Sequence, residues 1–170
     1  QLDAQAQLVE PVAASGLARE RLLTLAQDFE HLAWQADYSF LYHSRRHLFH
    51  IGYRVSEQQL DSGFYDLLAS ESRVTSLLAM AKGDVAVRHW AALGRPFYPS
   101  GTQAGLRSWS GSMFEYLMPQ LVLDEPYGGA LHGACLVALQ EQIDFTAARD
   151  LPWGISESAY AGHDHTLAYQ

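Results

Sequence analysis

The chain has 170 residues, enough for one sizeable core, and its 48% apolar and 18% charged residues are ordinary for a soluble globular protein. Eleven Lys and Arg face 19 Asp and Glu, a net charge of −8; this argues against a nucleic-acid or anionic-membrane surface, which requires a basic face, and leaves a neutral ligand such as a sugar open. No apolar run approaches the ~18–20 residues of a membrane span. The opening residues do not read as a signal peptide, and the lone Cys135 rules out an internal disulfide and suits a reducing compartment.

In chain order, residues 1–16 are Ala- and Gln-rich, contain Pro11 and Gly16, and read as a linker or frayed helix. Over 18–36, Leu22, Leu25, Phe29 and Leu32 recur at helical spacing. Tyr38–Tyr42 and Leu48–Val55 are rich in aromatic and β-branched residues and flank Ser44-Arg-Arg-His47, which predicts a β-hairpin near 38–55. Asp61-Ser-Gly63 is read as the cap of a helix over 64–82, followed by a shorter helix over 84–93. Gly94 to Gly105, with Pro96 and Pro99, is expected to be loop. Helices are predicted over 112–123 and 130–149, the second opened by Gly128-Gly129 and containing Cys135 as a small core filler. The architecture expected is all-α with a small β-hairpin, an array of helical hairpins as in a toroid or solenoid. Gln1 and Gln170 carry no start or stop signal, so a longer polypeptide is expected.

Glu71 is the most informative residue in this reading. On a helix over 64–82 the apolar stripe is Phe64, Leu67, Leu68, Val74, Leu78 and Ala81, with Glu71 on its centre line. A carboxylate facing a core costs several kcal/mol unless paired or protonated, and such a site suits a general acid as well as it suits a hydrogen-bonded structural residue.

Three segments set carboxylates beside aromatic rings at expected helix starts: Asp61-Ser-Gly-Phe-Tyr65-Asp66 leading to Glu71, Trp109-Ser-Gly-Ser-Met-Phe-Glu115-Tyr116, and Trp153-Gly-Ile-Ser-Glu157-Ser-Ala-Tyr160. Rings supply a flat platform for a sugar and carboxylates grip its rim. Plainer readings stand beside these. Ser112-Met-Phe-Glu115 is a capping box, and Ser156 can cap a helix with Glu157 in its first turn. Trp34 and Trp90 read as packing. His163-Asp-His165 is a weak metal pair without a third ligand, so neither metal nor other cofactor is expected. His43, His47 and His50 are read as surface residues of the hairpin. Ser156 and Ser158 lack triad partners, and no phosphate-binding loop is present.

At these segments the chain resembles a known family. Phe40-Leu-Tyr42, Leu48-Phe, Ile51-Gly-Tyr53 and Tyr65-Asp-Leu-Leu-Ala-Ser-Glu71-Ser-Arg73 are similar to the glucoamylase-like region of cyclic β-1,2-glucan synthases. Ala81-Lys-Gly-Asp84, His89-Trp90 and Leu93-Gly-Arg95 continue the likeness. Ser108-Trp-Ser-Gly-Ser-Met-Phe-Glu-Tyr-Leu-Met-Pro119 and Pro152-Trp-Gly-Ile-Ser-Glu-Ser-Ala-Tyr160 are its most specific parts. His43, where the family usually has an acidic residue, and Gly162-His-Asp-His165 depart from it.

The resemblance covers roughly 30–170. It implies an (α/α)₆ toroid, of which 17–170 would be the N-terminal half. It also implies a large synthase with glycosyltransferase and membrane-spanning parts, at the cytoplasmic side of a bacterial inner membrane. The activity implied is retaining transglycosylation that cuts linear β-1,2-glucan and closes it into a ring. Glu71 is taken as the acid and Glu157 as the nucleophile, with Asp61, Tyr65, Asp66, Trp109, Glu115, Tyr116, Trp153 and Tyr160 around the glucan. A hydrolase of β-1,2-glucan and a non-catalytic glucan-binding module are the alternatives.

Overall fold

A computed structural model describes residues 16–156, in two units divided between Phe40 and Leu41. In the first unit, helix α1 (Gly16–Gln35) forms where the helical spacing predicts it. Trp34, read above as packing, is exposed on it. Beyond α1, the Asp37 carboxylate accepts the Ser39 backbone N–H at 2.8 Å and turns the chain locally, so Ser39 and Phe40 open a 3₁₀ turn where a strand is expected.

The second unit is where the all-α expectation fails. Its strands are β1 (Tyr42–His43), β2 (Leu48–His50), β3 (Tyr53–Arg54), β4 (Gln59–Leu60), β5 (Phe64–Tyr65), β6 (Phe97–Ser100) and β7 (Gln103–Leu106). They pair antiparallel as three small sheets: β1-β2-β5, β3-β4 and β6-β7. Among them stand α2 (Arg73–Lys82), α3 (Arg88–Ala92), α4 (Met113–Leu117), which runs on as a 3₁₀ turn to Leu121, and α5 (Ala130–Ala147). This mixed α/β arrangement overturns the toroid of helical hairpins.

Two places account for the difference. First, the segment read as one helix over 64–82 is divided. Phe64 and Tyr65 pair with His50 and Phe49. The Asp66 carbonyl then accepts the Gly94 N–H at 2.6 Å, and the Leu68 N–H donates to the Gly94 carbonyl at 2.9 Å. Backbone groups a helix would have used are thus taken by a distant glycine, a position that favours glycine because a Cβ there would stand a tight 3.0 Å from the Asp66 carbonyl oxygen. Helix α2 starts only at Arg73 and ends on Gly83, whose φ of 85° suits glycine alone. Its buried face is Arg73, Ser76 and Ala79, not the predicted leucine stripe; Ala81 of that stripe is exposed. Second, the Pro- and Gly-rich run expected to be loop is the hairpin β6–β7. Its strands meet at Gly101-Thr102, and the Tyr98 ring crosses Gly105, where a Cβ would meet it at 2.7 Å.

The core lies between these elements. Leu48, Leu68, Leu93, Leu106, Met113, Tyr116, Ala134, Cys135 and Ala138 form one buried cluster, with Phe64, Trp90, Leu131 and Leu139 packed against it. Trp90 and Cys135 are therefore packing residues, as expected. Burial pushes the Cys135 thiol up to about 11, with the Glu125 charge adding to it, so the thiol stays protonated and inert. The hairpin histidines are half-buried: His43 and His50 pack against Phe64, and His47 against Tyr42. None of the helices among the described residues is long and apolar enough to cross a membrane.

Candidate functional site

The strongest polar construction in the molecule is the loop from Ser108 to Ser112. Ser112 caps α4 and Glu115 closes the capping box, as the spacing predicts. The Glu115 side chain does more than cap. Although it is only 3% exposed, its carboxylate accepts three backbone N–H groups, from Trp109 at 2.8 Å, Ser110 at 3.0 Å and Ser112 at 3.1 Å. It also accepts the hydroxyls of Ser108, Ser110 and Ser112. Burial alone would raise its pKa, but the donors from Ser110, Ser112 and Trp109 outweigh that and hold it below the usual carboxylate value. Glu115 is thus an ionised anchor whose acceptor capacity is spent on its own loop.

That anchoring leaves the Trp109 ring, 56% exposed, standing out from a fixed backbone. Beside it lies an open pocket of about 290 Å³ lined by Tyr98, Arg107, Ser108, Trp109, Ser110, Gly111, Tyr116 and Glu141. The Tyr98 hydroxyl donates to Glu141 of α5 at 2.6 Å, and the Arg107 guanidinium lies 5.8 Å from the centre of the Tyr98 ring. Burial, then the bond to Glu141, drives the Tyr98 phenol far up, so it remains a donor at any ordinary pH. The wall therefore offers an exposed indole, a guanidinium and a carboxylate, a combination able to stack on a flat ligand face and bond its rim. Tyr98, Arg107 and Glu141 were missed in the sequence. The Tyr98–Glu141 pair spans 43 positions, and no local signal marks it.

The Trp153 segment is drawn to the same loop. The Met113 N–H donates to the Ile155 carbonyl at 2.9 Å, and the Gln142 amide donates to the carbonyls of both Gly111 and Ile155, each at 2.9 Å. Two carbonyl acceptors fix the Gln142 amide orientation, and its oxygen is buried without a partner among the described residues. Trp153 is exposed like Trp109, so two of the three predicted segments carry exposed indoles on backbones joined through Gln142. Glu157 and Tyr160 lie outside the described residues.

The first segment is tied in through Arg73, which was not singled out as a site residue. Its guanidinium is buried and forms an ion pair with Glu125 at 2.6 Å. It also donates to the backbone carbonyls of Ser70 at 2.9 Å, Glu115 at 3.0 Å and Tyr116 at 3.2 Å. One cation therefore clamps the turn beside Glu71 to the helix that carries Glu115. Glu71 itself is half-buried in that turn, before α2 rather than on a helical stripe, and accepts the Ser70 hydroxyl at 3.1 Å. Burial, and then the nearby Glu71 charge, raise the Tyr65 phenol, which places Tyr65 and Glu71 in one electrostatic neighbourhood.

The other predicted residues are dispersed. Asp61 pairs with Arg54 at 3.2 Å, while Asp66 is exposed. Tyr116 is buried, its hydroxyl donating to the Leu106 carbonyl at 2.6 Å and accepting the Ser108 N–H at 3.0 Å. It braces β7 against the Trp109 loop.

No protein-family profile matches the chain. Against curated proteins, it is 51% identical over 152 residues to the cyclic beta-(1,2)-glucan synthase NdvB of Rhizobium meliloti (strain 1021). The matched stretch is 89% of this chain and 5% of that relative, so the chain corresponds to a small region of a much longer glucan synthase.

Proposed function

We propose that this chain is part of the glucoamylase-like region of a cyclic β-1,2-glucan synthase, and that it acts on β-1,2-glucan by retaining transglycosylation. The observation that carries this reading is the 51% identity to a glucan synthase across 89% of the chain. Supporting it are the exposed rings of Trp109 and Trp153, on backbones held by Glu115 and Gln142, as a rigid sugar platform requires.

In this proposal Glu71 is the general acid and Glu157 the nucleophile. The Glu157 carboxylate attacks the anomeric carbon while Glu71 gives its proton to the departing glycosidic oxygen. Glu71, now ionised, then takes the proton of an incoming glucan hydroxyl. That hydroxyl oxygen displaces Glu157, closing the ring with retained configuration. Glu115 holds the Trp109 loop instead of touching sugar. The rest of the synthase, with its glycosyltransferase and membrane-spanning parts, supplies the linear glucan.

The test is made in the full-length synthase. Glu71→Gln and Glu157→Gln are each expected to abolish formation of cyclic glucan from linear glucan, followed by mass spectrometry, while glucan binding persists. Linear oligosaccharide products from the unaltered enzyme would favour hydrolysis instead. Unchanged turnover in the Glu71→Gln enzyme would defeat the assignment of Glu71.

A further inference from the structure

A second pocket, of about 360 Å³, lies on the hairpin β1–β2 and is lined by Tyr42, His43, Ser44, Arg45, His50 and Leu60. Its volume falls at the small end of the ~300–1,000 Å³ usual for small-molecule sites. In a chain of net charge −8, the stretch from Tyr38 to Ser56 contains Arg45, Arg46, Arg54 and three His without one Asp or Glu. Arg54 is engaged with Asp61, and Arg46 lies 4.8 Å from the centre of the Phe64 ring. Arg45 is exposed at the pocket and has neither an ion-pair nor a hydrogen-bond partner among the described residues.

Hydrogen bonds set the tautomers of the two imidazoles. His43 Nδ1 accepts the Arg46 backbone N–H at 3.2 Å, so the ring proton of the neutral form sits on Nε2. His50 Nδ1 faces the Asp61 carbonyl at 2.6 Å, which can only accept, so its proton sits on Nδ1 and Nε2 is left as an acceptor. The rings are 5.6 Å apart, and Phe64 packs against both, at 5.4 Å from His43 and 4.4 Å from His50, which limits their rotation.

The lining thus supplies the guanidinium of Arg45, an N–H of His43 and the Ser44 hydroxyl as donors, and one acceptor at His50 Nε2. A sugar hydroxyl leaves the guanidinium charge unmatched. Sulfate and carboxylate bring no proton for His50. A phosphoryl group with one proton meets all of them, its charged oxygens accepting and its P–OH donating. We propose that this pocket binds a phosphoryl group, either inorganic phosphate or a phosphomonoester. The proposal concerns a different pocket from the Trp109 platform and does not depend on the glucan reading.

The test uses ¹⁵N-labelled protein near pH 7, above the ordinary imidazole pKa of about 6.5, at constant ionic strength, and each phosphate's affinity is expressed per singly protonated anion. Inorganic phosphate, methyl phosphate and sulfate are titrated separately while the imidazole nitrogens are followed by long-range ¹H–¹⁵N spectra. Saturable shifts at His43 and His50, with His31 and His132 unmoved, are expected for phosphate. Sulfate is expected to bind about tenfold more weakly, and Arg45→Gln to weaken phosphate binding about tenfold. Arg45 is exposed, so the variant's backbone spectrum should superimpose on the original and report a folded chain. Methyl phosphate binding as tightly as inorganic phosphate identifies a monoester as the ligand; binding of inorganic phosphate alone identifies the free ion. Shifts that do not saturate, that match those with sulfate, or that persist unchanged in the Arg45→Gln protein overturn the proposal.

Discussion

Glu71 and Glu115 both stand in serine-rich stretches of the sequence, yet the fold treats them oppositely. Glu115 is buried and accepts three backbone N–H groups and three hydroxyls. Glu71 is half-buried in an open turn and accepts the neighbouring Ser70 hydroxyl. A carboxylate saturated by its own loop holds architecture; one with spare acceptor capacity at a surface is available for chemistry. Arg73 separates these roles, since it binds the carbonyls of Ser70 and Glu115 and leaves both carboxylates to other partners.

The comparison is broken most forcefully at Arg73. Arg73→Ala strips Glu125 of its buried ion-pair partner and takes a charged donor from three backbone carbonyls, and should cost about 3–5 kcal/mol in denaturant unfolding. A loss below about 1 kcal/mol would show that the clamp contributes little to holding the two regions.

Glu115→Ala comes next, at about 3 kcal/mol, because several donors of the Trp109 loop lose the charged acceptor they share. Its pH signature is specific. The folded pKa of Glu115 lies below that of an unfolded Glu. Its stabilisation is therefore complete above the unfolded value, about 4.3, and is lost as pH falls through the folded one. Glu115→Gln should remove that acid-side slope, and an unaltered slope would contradict the assignment.

His89 provides a second slope, at higher pH. It is fully buried, with Nδ1 donating to the His47 carbonyl at 2.7 Å and Nε2 accepting from Ser76 at 2.9 Å. Burial lowers its pKa against the opposing effect of the His47 bond. The unfolded chain thus binds a proton before the folded one does, so stability should decline as pH falls below about 6.5. His89→Gln should flatten this part of the unfolding profile.

The smallest effects on stability are expected where function is proposed. Trp109→Ala should change stability by less than about 1 kcal/mol while weakening glucan affinity roughly tenfold, as measured by calorimetry. Glu71→Gln should shift stability by no more than about 0.5 kcal/mol. A large loss there would make Glu71 a structural residue like Glu115 and erase the contrast between them.

Sequence alone determined the elements that depend on short-range signals. Helices α1 and α5 follow from apolar spacing and flanking glycines, the β1–β2 hairpin from its aromatic runs, and the Ser112–Glu115 capping box from a three-residue offset. The core roles of Trp90 and Cys135 were also legible. Tertiary structure decided the rest. Apolar residues at Phe64, Leu67 and Leu68 fit a helical stripe and a buried strand-and-turn equally well, and only the remote backbone of Gly94 selects between them. The buried Arg73 and the Tyr98–Glu141 bond had no local mark, since each joins residues more than 40 positions apart. A short-range pattern records where a chain can bury apolar surface; which backbone groups and charges then satisfy one another depends on what the folded chain brings beside them.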